Sequence, residues 1–347
     1  VNLFQRKTVM LVLVLCLLAV GTSSCTSVVI NNPTNVNPSR SIRKISVGAG
    51  WIYSLAWSTD NATLAVGSRD NNLSLWNTVI GTRESAFLDY PSSVSHVAWS
   101  PNSKYLATGS QGLGDNIRIW NVTKHQLSFH VTPPGNYVSG VAWSSDNHKL
   151  AVGLDGGSEP GAINGMLIYD PFGNENPIMV KEAFPVTVVA WEPAGMRFAF
   201  GVSPFSLDPG IIRVGKLSDK DSTVEITQEL LGHSSTITDI AWSPDDKLLA
   251  SISMDKTVKV WNAANGKVVT TLQYGNDPKS IAWSPDSKRL AVGGWAEPKI
   301  KVWDVSTGQV AVTLNDPDSV NTIAWSPDGT RLASGDLSGI VWIWDMK

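Results

Sequence analysis

His233, Asp255 and the serines Ser251 and Ser253 fall within 23 residues of one another. They are the residue types of a nucleophilic trio, in which an imidazole takes the proton of a hydroxyl and a carboxylate orients the imidazole. Such a trio also needs an exposed nucleophile and an oxyanion hole, and the surrounding sequence offers neither. The same residues serve as a structural hydrogen-bond network that orients a tight turn, and this is the expectation for them. The other histidines, His96, His125, His130 and His148, form no H-x-H or H-x₃-H pair, so no zinc or copper site is expected. Residues 218–222, SDKDS, have too few ligands for a calcium loop and read as a solvated turn. His96, Asp239 and Lys279, with Ser54, Ser280 and Thr322, form a thin polar set. One acid and one amine are not the paired carboxylates of a glycosidase. No glycine-rich phosphate cradle enters a helix. The chain is therefore expected to have no catalytic residues, no metal and no cofactor.

Composition narrows the partners. The 347 residues are 42% hydrophobic, ample for a core, and only 16% charged, with a net charge of -3 and no long basic block. Nucleic acid is not expected as a partner. With 29 Gly and 19 Pro, the chain suits short strands joined by tight turns. Fifteen Trp against eight Phe is an unusual ratio that the fold must explain.

The elements that position these residues repeat. Ala-Trp recurs at Ala56-Trp57, Ala98-Trp99, Ala142-Trp143, Ala190-Trp191, Ala241-Trp242, Ala282-Trp283 and Ala324-Trp325, with steps of 42, 44, 48, 51, 41 and 42. Most copies continue with SPD, an apolar run, a polar turn, and an alternating run that ends in Trp followed by Asp or Asn. Period-two alternation predicts four strands per copy: in the fifth, TDIAWS, KLLASIS, TVKVWN and KVVTTLQ. Trp303-Asp304 and Trp344-Asp345, with Trp76-Asn77, Trp120-Asn121, Trp261-Asn262 and Tyr169-Asp170 as variants, resemble the repeats of the WD-repeat family. The resemblance covers about 300 residues. It implies an all-β, seven-bladed β-propeller of four-stranded antiparallel blades over residues 41–347. It also implies a structural network of His233, Ser251, Asp255 and Trp261, since only the fifth copy has the full set.

Twelve of the fifteen tryptophans fall in first or third strands and read as packing between blades. The chain ends on a third strand, IVWIWDMK. The resemblance implies that an N-terminal strand completes the last blade, with Lys44 to Gly48 beside Val341 to Trp344. Trp342 reads as local packing. Trp51, before a first strand, and Trp295, in a turn between second and third strands, belong to loops that the resemblance places on one face. Two lengthened loops add Asp155, Glu159, Phe205 and Asp208, and the six residues form a candidate binding face. The partner expected there is a protein; a glycan is the alternative, and an enzyme with an unrecognised site the second.

The N-terminus carries a separate message. Arg6-Lys7 precede an apolar run from Val9 to Val20, followed by small residues up to Ser24. This is the pattern of an export signal and is short for a membrane span. Residues 21–25, GTSSC, resemble the lipobox of bacterial lipoproteins, which implies a signal peptide over 1–24 and lipidation of Cys25. Thr22 stands where that family usually has Leu. Residues 25–40 read as a polar tether. The expectation is a lipoprotein exported and anchored on the extracytoplasmic side of a membrane.

Overall fold

The computed structural model describes residues 41–347 except 49, 88–89, 91, 111, 113–115, 134–136, 157–162, 174, 205–207, 219–222, 276 and 296. The expected signal and tether, Cys25 included, lie outside the described residues. Twenty-eight strands form seven four-stranded antiparallel sheets, and no helix occurs among the described residues. Six blades are built from four consecutive strands each; the seventh combines the last three strands with the first. The innermost strands are Ile52–Trp57, Val94–Trp99, Tyr137–Trp143, Val186–Trp191, Ile237–Trp242, Pro278–Trp283 and Val320–Trp325. Each touches the next, and the last touches the first, so the ring is closed. The second strands are buried on both faces, as in Leu248–Ser253, because a neighbouring blade covers each side. That is why they read as unbroken runs of apolar and small residues.

The Ala-Trp pair is the joint between blades. The indole N–H of Trp99 donates to the carbonyl of Ala56 at 3.0 Å, Trp143 to Ala98 at 3.1 Å, Trp242 to Ala190 at 3.3 Å, Trp283 to Ala241 at 2.9 Å, and Trp57 to Ala324 at 3.0 Å. Five of the seven junctions are closed by this bond, always between adjacent blades; the indole N–H groups of Trp191 and Trp325 are buried without it. At four junctions the ring face is covered from the preceding blade as well. Arg331 stacks over Trp57, Arg197 over Trp242 and Arg289 over Trp325, at 4.7, 4.9 and 4.7 Å from the ring centres. At Trp143 the same strand position holds Tyr105, stacked with centroids 6.5 Å apart.

The third-strand Trp sits opposite a leucine of the second strand, as in Leu249–Trp261 and Leu332–Trp344. In blade four the pair is Phe198–Gly215. A Cβ on Gly215 would lie 2.6 Å from the Phe198 ring, so the volume of the missing indole is filled from the neighbouring strand. The divergent fourth copy therefore packs as a full blade.

Ring closure runs through Ser41–Ser46, which pairs antiparallel with Ile340–Asp345 in the register Lys44–Trp342, Ile45–Val341 and Ser46–Ile340. The strand thus begins and ends earlier than the expected Lys44 to Gly48. At Val47, whose N–H donates to Gly339 O at 3.0 Å, the edge meets the tight turn at Gly339 (φ 80°) and pairing stops. Arg43 reaches past the blade to the carbonyls of Ile80 and Val79 in blade one, at 2.8 and 2.5 Å. Deleting residues 41–46 should bare the edge of the last strand. The expected outcome is a lower melting temperature and concentration-dependent light scattering; an unchanged melting curve would contradict this closure.

Candidate functional site

Every innermost strand carries a bulge near its start. The register against the second strand slips between Ile52 and Ser54, Val94 and His96, Val138 and Gly140, and at the matching place in the other four blades. The extra residue is turned toward the channel rather than into the ladder. At four bulges its side chain stitches the ring. Thr187 donates to Ile237 O at 2.8 Å, Thr238 to Pro278 O at 3.0 Å, Asn321 to Ile52 O at 2.8 Å, and Ser139 to Val186 O. The acceptor is in each case the first residue of the next innermost strand. Ser95 bonds within its own blade. The two remaining bulge residues, Tyr53 and Lys279, turn instead toward tryptophans.

These two tryptophans are Trp51 and Trp295, from blades one and six. Their rings meet with centroids 5.9 Å apart at 66°, and Tyr53 packs edge-on to Trp51 at 6.2 Å. Lys279 Nζ stands 3.9 Å over the Trp295 ring, and the Arg69 guanidinium 5.0 Å over Trp51. Blade seven fixes the arrangement. Trp295 Nε1 donates to Asn321 Oδ1 at 2.9 Å, and Ser319 Oγ donates to Trp295 O at 2.6 Å. Trp295 remains 37% exposed.

Below this mouth is a cavity of about 260 Å³, lined by innermost strands of all seven blades and including Ser54, His96, Asp239, Lys279, Ser280 and Thr322. Ser54, Asp239 and Ser280 accept the backbone N–H groups of Val97, Ile281 and Ile323 on the next blade, at 3.1, 3.0 and 3.1 Å. Burial pushes the Asp239 carboxyl up to about 7, against the opposing hydrogen bonds from Ile281, Ile240 and Ser280. Burial takes His96 down to about 4, so its imidazole is neutral at pH 7. Burial also lowers Lys279 from the ordinary lysine value.

The His233 network is a separate, buried structure. His233 Nδ1 bonds Asp255 Oδ2 and Nε2 bonds Ser251 Oγ, both at 2.8 Å; Trp261 Nε1 donates to Ser251 Oγ at 2.8 Å. Ser253 does not bond the imidazole; it donates to Ser235 O at 3.0 Å and accepts from the Asp255 N–H at 3.1 Å. Burial opposes ionisation of Asp255, but hydrogen bonds from His233 and Thr257 outweigh it and hold the carboxyl below the usual range. Ser251 is fully buried, so the trio braces a turn. The slot nine residues ahead of the first-strand Trp holds a polar partner in other blades too. Tyr90 accepts from Trp120 Nε1 at 2.5 Å and bonds Thr108 at 2.9 Å, and Asp316 accepts from Ser334 at 2.6 Å, which itself accepts from Trp344 at 2.9 Å. A search for histidine alone misses both.

The other candidate residues do not join the tryptophan pair. Asp155 ends a second strand, paired with Tyr137, rather than lying in the loop where it was expected, because that strand runs on through the expected turn. Asp208 is exposed in blade four. Blades three and four are the farthest round the ring from the mouth. Glu159 and Phe205 lie outside the described residues. Trp342 packs on Trp344 at 6.1 Å beneath Lys44.

The family model for WD domain, G-beta repeat matches residues 40–77, 83–121, 224–262, 266–304 and 308–345. The chain belongs to the WD-repeat family. The intervening residues 122–223, outside those matches, hold most of blades three and four. Among similar proteins, a periodic tryptophan protein 2 homolog of Dictyostelium discoideum is 26% identical over 64% of this chain and 18% of its own length. WD repeat-containing protein 1 of Gallus gallus is 24% identical over 55% and 37% respectively. The transcriptional corepressor LEUNIG_HOMOLOG of Arabidopsis thaliana is 24% identical over 70% and 28%. This WD-repeat chain thus spans less than two fifths of each of these relatives.

The titration of Asp239 can be read from stability. With its carboxyl raised from 3.8 to about 7, the folded ring holds a proton that the unfolded chain releases between those values. Stability should therefore fall as pH rises from 4 to 7, by up to about 1.4 kcal/mol per pH unit. Comparing denaturant unfolding of the wild type and Asp239→Asn across this window should show a steeper fall in the wild type, the variant keeping only the slope contributed by groups such as Asp316 and His96. Parallel curves would contradict the assignment.

Proposed function

We propose that this WD-repeat ring is a non-catalytic scaffold that binds another protein at the face where the channel opens. We also propose that it works outside the cytoplasm, held to a membrane by lipid on Cys25. The observation that carries the first part is the meeting of Trp51 and Trp295. Neither belongs to the repeat pattern, yet the ring brings them into contact at the mouth. A rigid, partly exposed aromatic pair is the kind of anchor that dominates protein interfaces. Membership of the WD-repeat family supports a scaffold in the same direction. A glycan would need open ring faces for stacking, whereas Lys279 and Arg69 each occupy one, so the protein reading is the stronger. The export signal, the lipobox-like GTSSC and the polar tether support the location; two or three acyl chains would anchor firmly where one would not.

In-cell cross-linking of the full chain tests the binding reading: Trp51→Ala with Trp295→Ala should lose at least about tenfold of the captured protein, while His233 network variants that still fold should keep it. Equal capture by the double variant would contradict it. Cys25→Ser should move the protein from the carbonate-washed membrane fraction to the soluble fraction without changing its melting temperature. Retention in the membrane would contradict the anchor alone.

A further inference from the structure

The mouth has a chemical preference as well as a position. Among the described residues neither Lys279 nor Arg69 makes an ion pair, whereas Lys149, Arg197, Arg213 and Lys301 all have carboxylate partners. The described carboxylates around the mouth keep their charge, but none forms an ion pair with these two cations. Asp70, next to Arg69, accepts from Ser68; Asp318 accepts from Ser319 N at 2.7 Å and from Ser338. Asp277 acts on Lys279 only through space. Lys279 is half-buried and seated on an indole, where a cation interacts more strongly with an incoming anion than it would in open water.

The channel below offers nothing comparable to a basic group. Both oxygens of Asp239 are held by the backbone N–H groups of Ile240 and Ile281. His96 is neutral at pH 7. The mouth is also fixed in advance, since Trp295, Asn321 and Ile52 are joined in one hydrogen-bonded chain across blades six, seven and one. Little side-chain ordering would remain to be done on binding.

We infer that the mouth receives an acidic segment of a partner protein, with an Asp or Glu carboxylate between Lys279 and Arg69 and neighbouring apolar atoms against Trp51 and Trp295. The inference rests on the reading of this face as protein-binding. It adds the sign of the partner's charge and the two residues that read it.

Selection from a displayed random-peptide library on the immobilised full chain tests it, followed by affinity measurements on Lys279→Ala, Arg69→Ala and Trp295→Ala. The recovered peptides should be enriched in Asp and Glu, and should lose roughly tenfold in affinity on each of the two cation variants, less so at high salt. Neutral or basic peptides that depend on Trp295, or acidic peptides indifferent to both cation variants, overturn the charge preference and leave the protein-binding face standing. If no recovered peptide is sensitive to any of the three variants, or if the mouth retains a neutral polysaccharide instead, both the preference and the protein-binding reading fall.

Discussion

The ring depends on burying a first-strand tryptophan against the preceding blade, and at five of the seven junctions its indole N–H donates to the carbonyl of that blade's alanine. Taken singly such a bond contributes about 1 kcal/mol, and most of the stabilisation comes from burying the indole between two sheets. Its importance is geometric. The bond fixes how far one blade slides and turns against the next. The alanine keeps the inner strand thin enough for seven of them to converge on one channel. At four junctions an arginine or tyrosine of the preceding blade also covers the ring, and because the bond joins Trp57 to Ala324, the junction that closes the circle is made like most of the others.

How much of this could be read from the sequence follows from what repeats. A physical problem solved seven times leaves seven copies of its solution, so the blade count, the inner strands and the role of twelve tryptophans were legible in the chain itself. The closing strand was legible because a third strand without a fourth leaves an open edge. Solutions that use different atoms for the same end were hidden. Phe198 and Gly215 exchange volume across two strands, which becomes visible only once their register is known. Tyr90 and Asp316 stand in for a histidine by offering an oxygen in its place.

The mouth was half legible. Trp51 and Trp295 stood out because the repeat did not need them, and the shared face of their loops followed from the blade topology. Their contact did not follow, nor did the part played by the bulges. Those bulges give each blade one side chain that is free of the ladder. In four blades that side chain ties neighbours together, and in blade two Ser95 bonds within its own blade; where it is Tyr53 or Lys279 the tie is given up and the group turns toward the aromatic pair. The blades can thus stay alike while the channel mouth differs from sector to sector. Asp155 was misplaced for a plainer reason, since a polar residue ahead of a glycine-rich stretch reads as loop even when the strand continues through it.

The closing strand also gives the ring a direction. Its Ser46 end lies against Ile340, beside the turn on the face that carries Trp295, and its Ser41 end lies against Trp344, on the opposite face. The chain therefore enters the ring from behind and leaves the strand at the front, a few residues before Trp51. The strand that seals the last blade thus runs on directly into the mouth, so the closing of the ring and the placing of Trp51 rest on one short stretch of chain.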